Sequence, residues 1–126
     1  DLWPTDHRQA AVLRWLSWDS EHFKPIVATY FVENVLKPFA GAQPDREALR
    51  RAEAALPEIA SILDRTLEGR DFVLGAPPTV ADFAVATFIP FAGQSGLSLA
   101  AFPDIESWHE RMCSLPGYLD PYPTES

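Results

Sequence analysis

Every periodic stretch of this chain repeats at helical spacing, and none alternates apolar and polar positions as a half-buried strand does. The first apolar stripe runs through Val12, Trp15, Leu16, Phe23, Ile26, Tyr30 and Phe31, and predicts one long helix over about residues 5–37. Thr5 is placed to cap it. Pro25 falls inside the pattern, removes a backbone donor and clashes with the carbonyl of Glu21, so a bend is expected near residues 21–25. Lys37-Pro38-Phe39-Ala40-Gly41 ends the element. A second stripe, Leu49, Ala52, Leu56, Ile59, Ala60, Leu63 and Leu67, predicts a one-sided helix from about Asp45 to Gly69, bent at Pro57. The connection between the two is short, so they are expected to pack antiparallel.

After Gly69 the pattern breaks. Arg70 to Ala76 reads as an ordered loop with Phe72 and Leu74 as apolar anchors and Gly75 at a positive φ. Pro77-Pro78-Thr79-Val80-Ala81-Asp82 then opens a third helix. Thr79 and Asp82 stand three apart, in the spacing of an N-capping box. Between Asp82 and Asp104 there is no charge, and apolar residues from Val80 to Ile89 cover every direction, so a helix over about 79–92 is expected to be buried all round. Pro90 and Gly93 stop it. A last helix runs from Asp104 to about Leu115, with Trp108, Met112 and Leu115 on one face, closed by Pro116-Gly117-Tyr118. The tail from Asp120, with Pro121 and Pro123, is expected to be loosely held. The chain is therefore one all-α domain, a bundle of about five helices around the capped one.

Composition narrows the function. The 126 residues carry a net charge of −8, with Lys and Arg scattered, which speaks against a nucleic-acid surface. The one basic cluster, Arg46, Arg50 and Arg51, alternates with Asp45, Glu47 and Glu53, as a solvated helix face does. The charge-free run is broken by Pro90, Gly93, Gly96 and Pro103, so no membrane span is expected. The first residues have neither the basic nor the apolar part of a signal peptide, and the chain begins without Met, as a piece of something longer would. One cysteine, Cys113, suits a reducing compartment, and reads as a buried or half-buried structural residue, with a free reactive thiol as the alternative. His7, His22 and His109 share no ligand spacing, so no metal site is expected. Ser95 lies in a Gly-Gln-Ser-Gly turn, but no strand precedes it and no histidine partner is evident, so a hydrolase elbow is not supported. Thr79 and Asp82 resemble a hydroxyl–carboxylate pair by spacing alone, yet their position at a helix start gives them a structural role.

Four short motifs together resemble the glutathione S-transferase C-terminal domain: Leu63-Asp64-Arg65-x-Leu67; Phe72-Val73-Leu74-Gly75; Pro78-Thr79-Val80-Ala81-Asp82; and Phe102-Pro103-Asp104-Ile105-x-x-Trp108-x-x-Arg111 leading to Leu115-Pro116-Gly117-Tyr118. Leu2-Trp3-Pro4-Thr5-Asp6-x-Arg8 with Trp15 is similar to the start of that family's first helix. The resemblance runs from residue 2 to about 122. It implies that a thioredoxin-like domain, which in the family binds glutathione and carries the catalytic Tyr, Ser or Cys, lies outside this chain. No catalytic residue is then expected here, and glutathione is a co-substrate of the whole protein, not a cofactor bound by this part. The helical domain would supply one wall of the hydrophobic co-substrate pocket and part of a homodimer interface, in a cytoplasmic enzyme that conjugates glutathione to apolar electrophiles.

In the family the middle of the first helix faces the cleft between domains. Trp15, Trp18 and His22 share a flank there and would line the pocket; otherwise Trp15 is core, and Trp18 and His22 pack against the other domain. Asp19 or Glu21 would meet the glutathione amine across the dimer, or make ordinary salt bridges. Two other readings stand beside conjugation. One is a non-catalytic interaction module of the same fold, as in translation elongation factors and tRNA synthetases. The other is a related glutathione-dependent isomerase, reductase or dehalogenase.

Overall fold

The computed structural model describes residues 2–119. The expected tail from Asp120 lies outside the described residues. Among these residues the secondary structure is helical, apart from one antiparallel bridge between Phe72 and Gly75.

The first stripe forms a continuous helical run: α1 (Arg8–Trp18), a π-turn (Asp19–Phe23), α2 (Lys24–Phe31), a second π-turn (Val32–Leu36) and α3 (Lys37–Phe39). The expected distortion near Pro25 is there, as a widened turn within the one continuous run. A second such turn precedes Pro38. Thr5 does not cap the run. Asp6 Oδ1 accepts the backbone N–H of Arg8 at 3.0 Å in its place.

Helix α4 (Arg46–Leu67) continues through Pro57. Asp45 caps it, its Oδ1 accepting from Glu47 and Ala48 N–H at 3.0 and 3.1 Å. Leu49, Ala52, Leu56, Ala60, Leu63 and Leu67 are buried, and Ile59 is half-buried. The pairing with the first run is antiparallel, as its contacts show. Trp18 shares a cleft with Ile62, Ile26 shares one with Ala52, and Glu33 Oε1 accepts the N–H of Asp45 at 2.6 Å.

The central helix is shorter and more one-sided than the pattern predicts. Helix α5 spans Val80–Val85; a 3-10 turn (Ile89–Phe91) and the short α6 (Ala92–Ser95) follow. Ala81, Asp82, Val85, Ala86 and Ile89 are buried, while Phe83, Ala84 and Phe88 are half-buried and Thr87 is exposed. Gly93 lies inside α6, and the stop comes at Gly96, which takes φ +78°. Helix α7 (Pro103–Cys113) buries Ile105, Trp108 and Met112; Leu115 is only half-buried. In the preceding loop Gly75 takes φ +109°, as expected, but the fully buried anchor is Val73, with Phe72 and Leu74 half-covered. Cys113 is exposed, contrary to the expectation of a buried structural thiol.

Asp82 ties these parts together from a fully buried position. Its Oδ2 accepts the Thr79 N–H at 2.8 Å, and Thr79 Oγ1 accepts the N–H of Ala81 at 3.2 Å, within a closed capping box. Asp82 Oδ1 accepts the N–H of Val73 at 2.8 Å and the indole N–H of Trp108 at 2.9 Å. The Leu2 carbonyl takes the Val80 N–H at 2.8 Å. Helix α7 is capped from outside its own sequence, because Asp64 Oδ1 on α4 accepts both Asp104 and Ile105 N–H at 3.0 Å. Arg111 closes its other end by donating to the carbonyls of Asp71 (2.7 Å) and Arg70 (3.1 Å).

Candidate functional site: an aromatic cleft on the first helix

A helix places residues four apart one above the other, so Arg14 and Trp18 stack along one flank of α1, with Trp15 beside them and His22 continuing the line. Together with Ser17, Glu21 and Ile62 of α4 they line a cleft of about 470 Å³. Trp15 meets Trp18 edge-on, centroids 5.0 Å apart. Trp18 stacks on the buried Phe23 at 5.6 Å with only 12° between planes. The aromatic wall is thus braced from behind and open in front. Trp15 and Trp18 are half-buried; Glu21 and His22 are exposed at the rim.

Asp19 is separated from this group. Its side chain turns into the protein, and the residue is only 2% exposed. Lys24 Nζ lies 3.1 Å from Oδ2, and Oδ1 finds no hydrogen-bond partner among the described residues. Burial pushes the Asp19 carboxyl above the usual aspartate range, while the Lys24 hydrogen bond and charge pull it back. Of the two carboxylates singled out from the sequence, only Glu21 is presented to the cleft. The Trp18 indole N–H is likewise buried without a partner among the described residues.

Arg14, Ser17 and Ile62 are lining residues that the sequence reading missed. Arg14 could have been found, since it stands four before Trp18 and seven before Glu21. Ile62 could not, because it enters only through the packing of α4. The cleft so composed offers flat apolar walls with one cation, one anion, one imidazole and one hydroxyl at its edge. That is the chemistry of a binding site for an apolar molecule carrying a few polar points. No group of His, Cys, Asp and Glu suited to a metal ion occurs among the described residues.

A second cleft, of about 480 Å³, lies between α7 and residues 97–100. Ser98, Glu106, His109 and Glu110 form its polar edge. Burial lowers the His109 pKa, partly offset by Glu110. Cys113 Sγ sits 3.7 Å from His109 Nε2, a weak contact on the surface of the same helix. This cleft has no aromatic wall and shares no residue with the flank of α1.

The all-helical fold places the chain in a class of known domains. The model of the glutathione S-transferase C-terminal domain matches residues 11–116, and the chain belongs to that family. Among curated relatives, Glutathione S-transferase F14 of Arabidopsis thaliana is 25% identical over 125 residues, covering 94% of this chain and 49% of its own. Glutathione S-transferase D7 of Drosophila melanogaster is 30% identical over 108 residues, covering 85% and 45%. Disulfide-bond oxidoreductase YfcG of Escherichia coli is 26% identical over 108 residues, covering 86% and 48%. The chain spans about half the length of these relatives. In fold it matches the apo structure of glutathione S-transferase III with a TM-score of 0.83 at 23% identity, over all of this chain and 62% of that one. No helix of the described residues is long and apolar enough to cross a membrane.

Proposed function

We propose that this chain is the electrophile-binding half of a cytoplasmic, homodimeric glutathione transferase. The observation that carries the reading is the cleft of about 470 Å³ that gathers Trp15, Trp18 and His22 on one flank. The indoles give contact area to an apolar co-substrate, and His22 and Arg14 supply polar points that orient it. Glutathione itself would be held by a thioredoxin-like domain outside this chain, which also lowers the thiol pKa. The thiolate then attacks an electrophilic carbon. A carbon–sulfur bond forms, and the leaving group departs with its electron pair or, in an addition, the neighbouring atom takes up a proton. This domain contributes proximity and orientation, not proton transfer. Between the two carboxylates, exposure at the rim favours Glu21 for the glutathione amine across the dimer over Asp19, which turns inward beside Lys24.

A second reading is supported by one relative's name, a disulfide-bond oxidoreductase. Thiol–disulfide exchange would use the same glutathione site and need less of the aromatic cleft. A non-catalytic interaction module is the third. Full-length protein assayed with glutathione against an electrophile panel and a disulfide substrate separates them. Conjugation is expected, with Trp18→Ala raising KM for the electrophile about tenfold at nearly unchanged KM for glutathione. Turnover of the disulfide alone would move the assignment to the reductase, and no binding of glutathione would leave the interaction module.

A further inference from the structure

Both π-turns of the first helical run stand immediately before a Lys-Pro pair: Asp19–Phe23 before Lys24-Pro25, and Val32–Leu36 before Lys37-Pro38. Proline accounts for their location. Its ring has no N–H and collides with the carbonyl four residues back, and an extra residue in the turn moves that carbonyl away. Proline does not account for the buried acid that each turn carries. Asp19 is paired with Lys24 at 3.1 Å, and Glu33 with Lys37 at 2.7 Å.

In the first turn the spacing is informative. Asp19 and Lys24 are five residues apart, as are Trp18 and Phe23. On an α-helix, at about 100° per residue, such positions point about 140° apart and cannot meet. The π-turn brings both pairs together. Lys24 N–H donates to the Asp19 carbonyl, Lys24 Nζ reaches Asp19 Oδ2, and Trp18 lies flat on Phe23. The ion pair and the aromatic stack therefore depend on the same extra residue. Asp19 is a poor stabiliser in itself. It is nearly fully buried, and one of its oxygens has no partner among the described residues. Lys24 keeps 37% of its side chain exposed against 3% for Asp19, so the desolvation cost falls on the acid, and the better-attested use of such a pair is to fix geometry.

We propose that Asp19 and Lys24 are positioning residues of the cleft: their pair clasps the π-turn in the register that stacks Trp18 on Phe23 and presents the indole face, with His22, to a ligand. The positioning stands on the geometry alone; its consequence for binding rests on the function proposed above.

The test uses this chain with Lys24→Met, Lys24→Arg and the double variant Asp19→Asn with Lys24→Met, which leaves no uncompensated buried charge. Side-chain NMR signals of Trp18, assigned with Trp18→Phe, and of His22 report the register. The dye 8-anilinonaphthalene-1-sulfonate reports the cleft. In Lys24→Met and in the double variant the Trp18 and His22 signals shift and dye affinity falls about tenfold, as a site whose supporting contacts are loosened loses affinity. Lys24→Arg restores both. A folded double variant with Trp18 and His22 signals at the parent positions overturns the proposal, as does Lys24→Arg behaving like Lys24→Met. A parent chain that binds no dye, while its Trp18 signal still shifts in Lys24→Met, upholds the positioning and counts against the binding reading instead.

Discussion

Asp82 accepts three hydrogen bonds from three separate parts of the chain, and this changes what its loss should cost. A helix cap alone is worth about 0.5–2 kcal/mol. Removing the carboxylate also strands the buried N–H of Val73 and the indole N–H of Trp108, each costing about 1–3 kcal/mol. Asp82→Ala is therefore expected to destabilise by about 3 kcal/mol or more in urea unfolding, and Trp108→Phe by about 1–2 kcal/mol. Equal and small effects would mean that water takes over the stranded donors. The spacing of Thr79 and Asp82 made the box legible in the sequence. The bonds to Val73 and Trp108 were not, because nothing local to residues 73 and 108 marks them as neighbours of residue 82.

At the scale of elements, two predictions concern how helices are held at their ends and bends. Asp64 caps α7 from α4, so Asp64→Ala should cost about 1 kcal/mol and loosen the first turn of α7, read as faster amide exchange at Asp104 and Ile105. The two π-turns carry carboxylates that titrate with opposite sign. The Lys37 hydrogen bond and the Asp45 N–H hold Glu33 below the usual glutamate range. Its contribution is present above the unfolded value and is lost as the pH falls through the folded one. Asp19, raised mainly by burial, does the reverse: stability is gained as the pH falls through its folded value. Unfolding midpoints followed downward from about pH 6 should thus fall less steeply in Glu33→Gln and more steeply in Asp19→Asn. Parallel curves for both variants and the parent would show that neither group is linked to folding.

For the molecule as a whole, the proposed function makes the cleft one wall of a larger site. Its aromatic wall is braced by Phe23 from within, and its front is open. On the proposed function the chain alone should show no glutathione-dependent turnover above buffer, while its cleft still binds apolar dyes. Robust conjugation by these 126 residues alone would overturn the division of labour between the two domains. Trp18→Ala is expected to reduce dye binding with little change in unfolding midpoint, because the indole is only half-buried; a large loss of stability would make Trp18 a core residue instead.

The sequence by itself determined the helical class, the antiparallel first pair, the box at Thr79 and the flank that holds Trp15, Trp18 and His22. These follow from spacing along one chain segment, where 3.6-residue periodicity and short-range hydrogen bonds decide the outcome. Only the tertiary structure decided which side of α5 meets solvent, since apolar residues lie all round it and its one carboxylate, Asp82, is buried. It decided that Lys24 meets the inward Asp19 and that Phe23 meets Trp18, because the π-turn before Pro25 brings positions five apart together. It also decided that Ile62 joins the cleft and that Asp64 caps α7. These are contacts between segments distant in sequence, fixed by how the helices pack, and no local pattern encodes them.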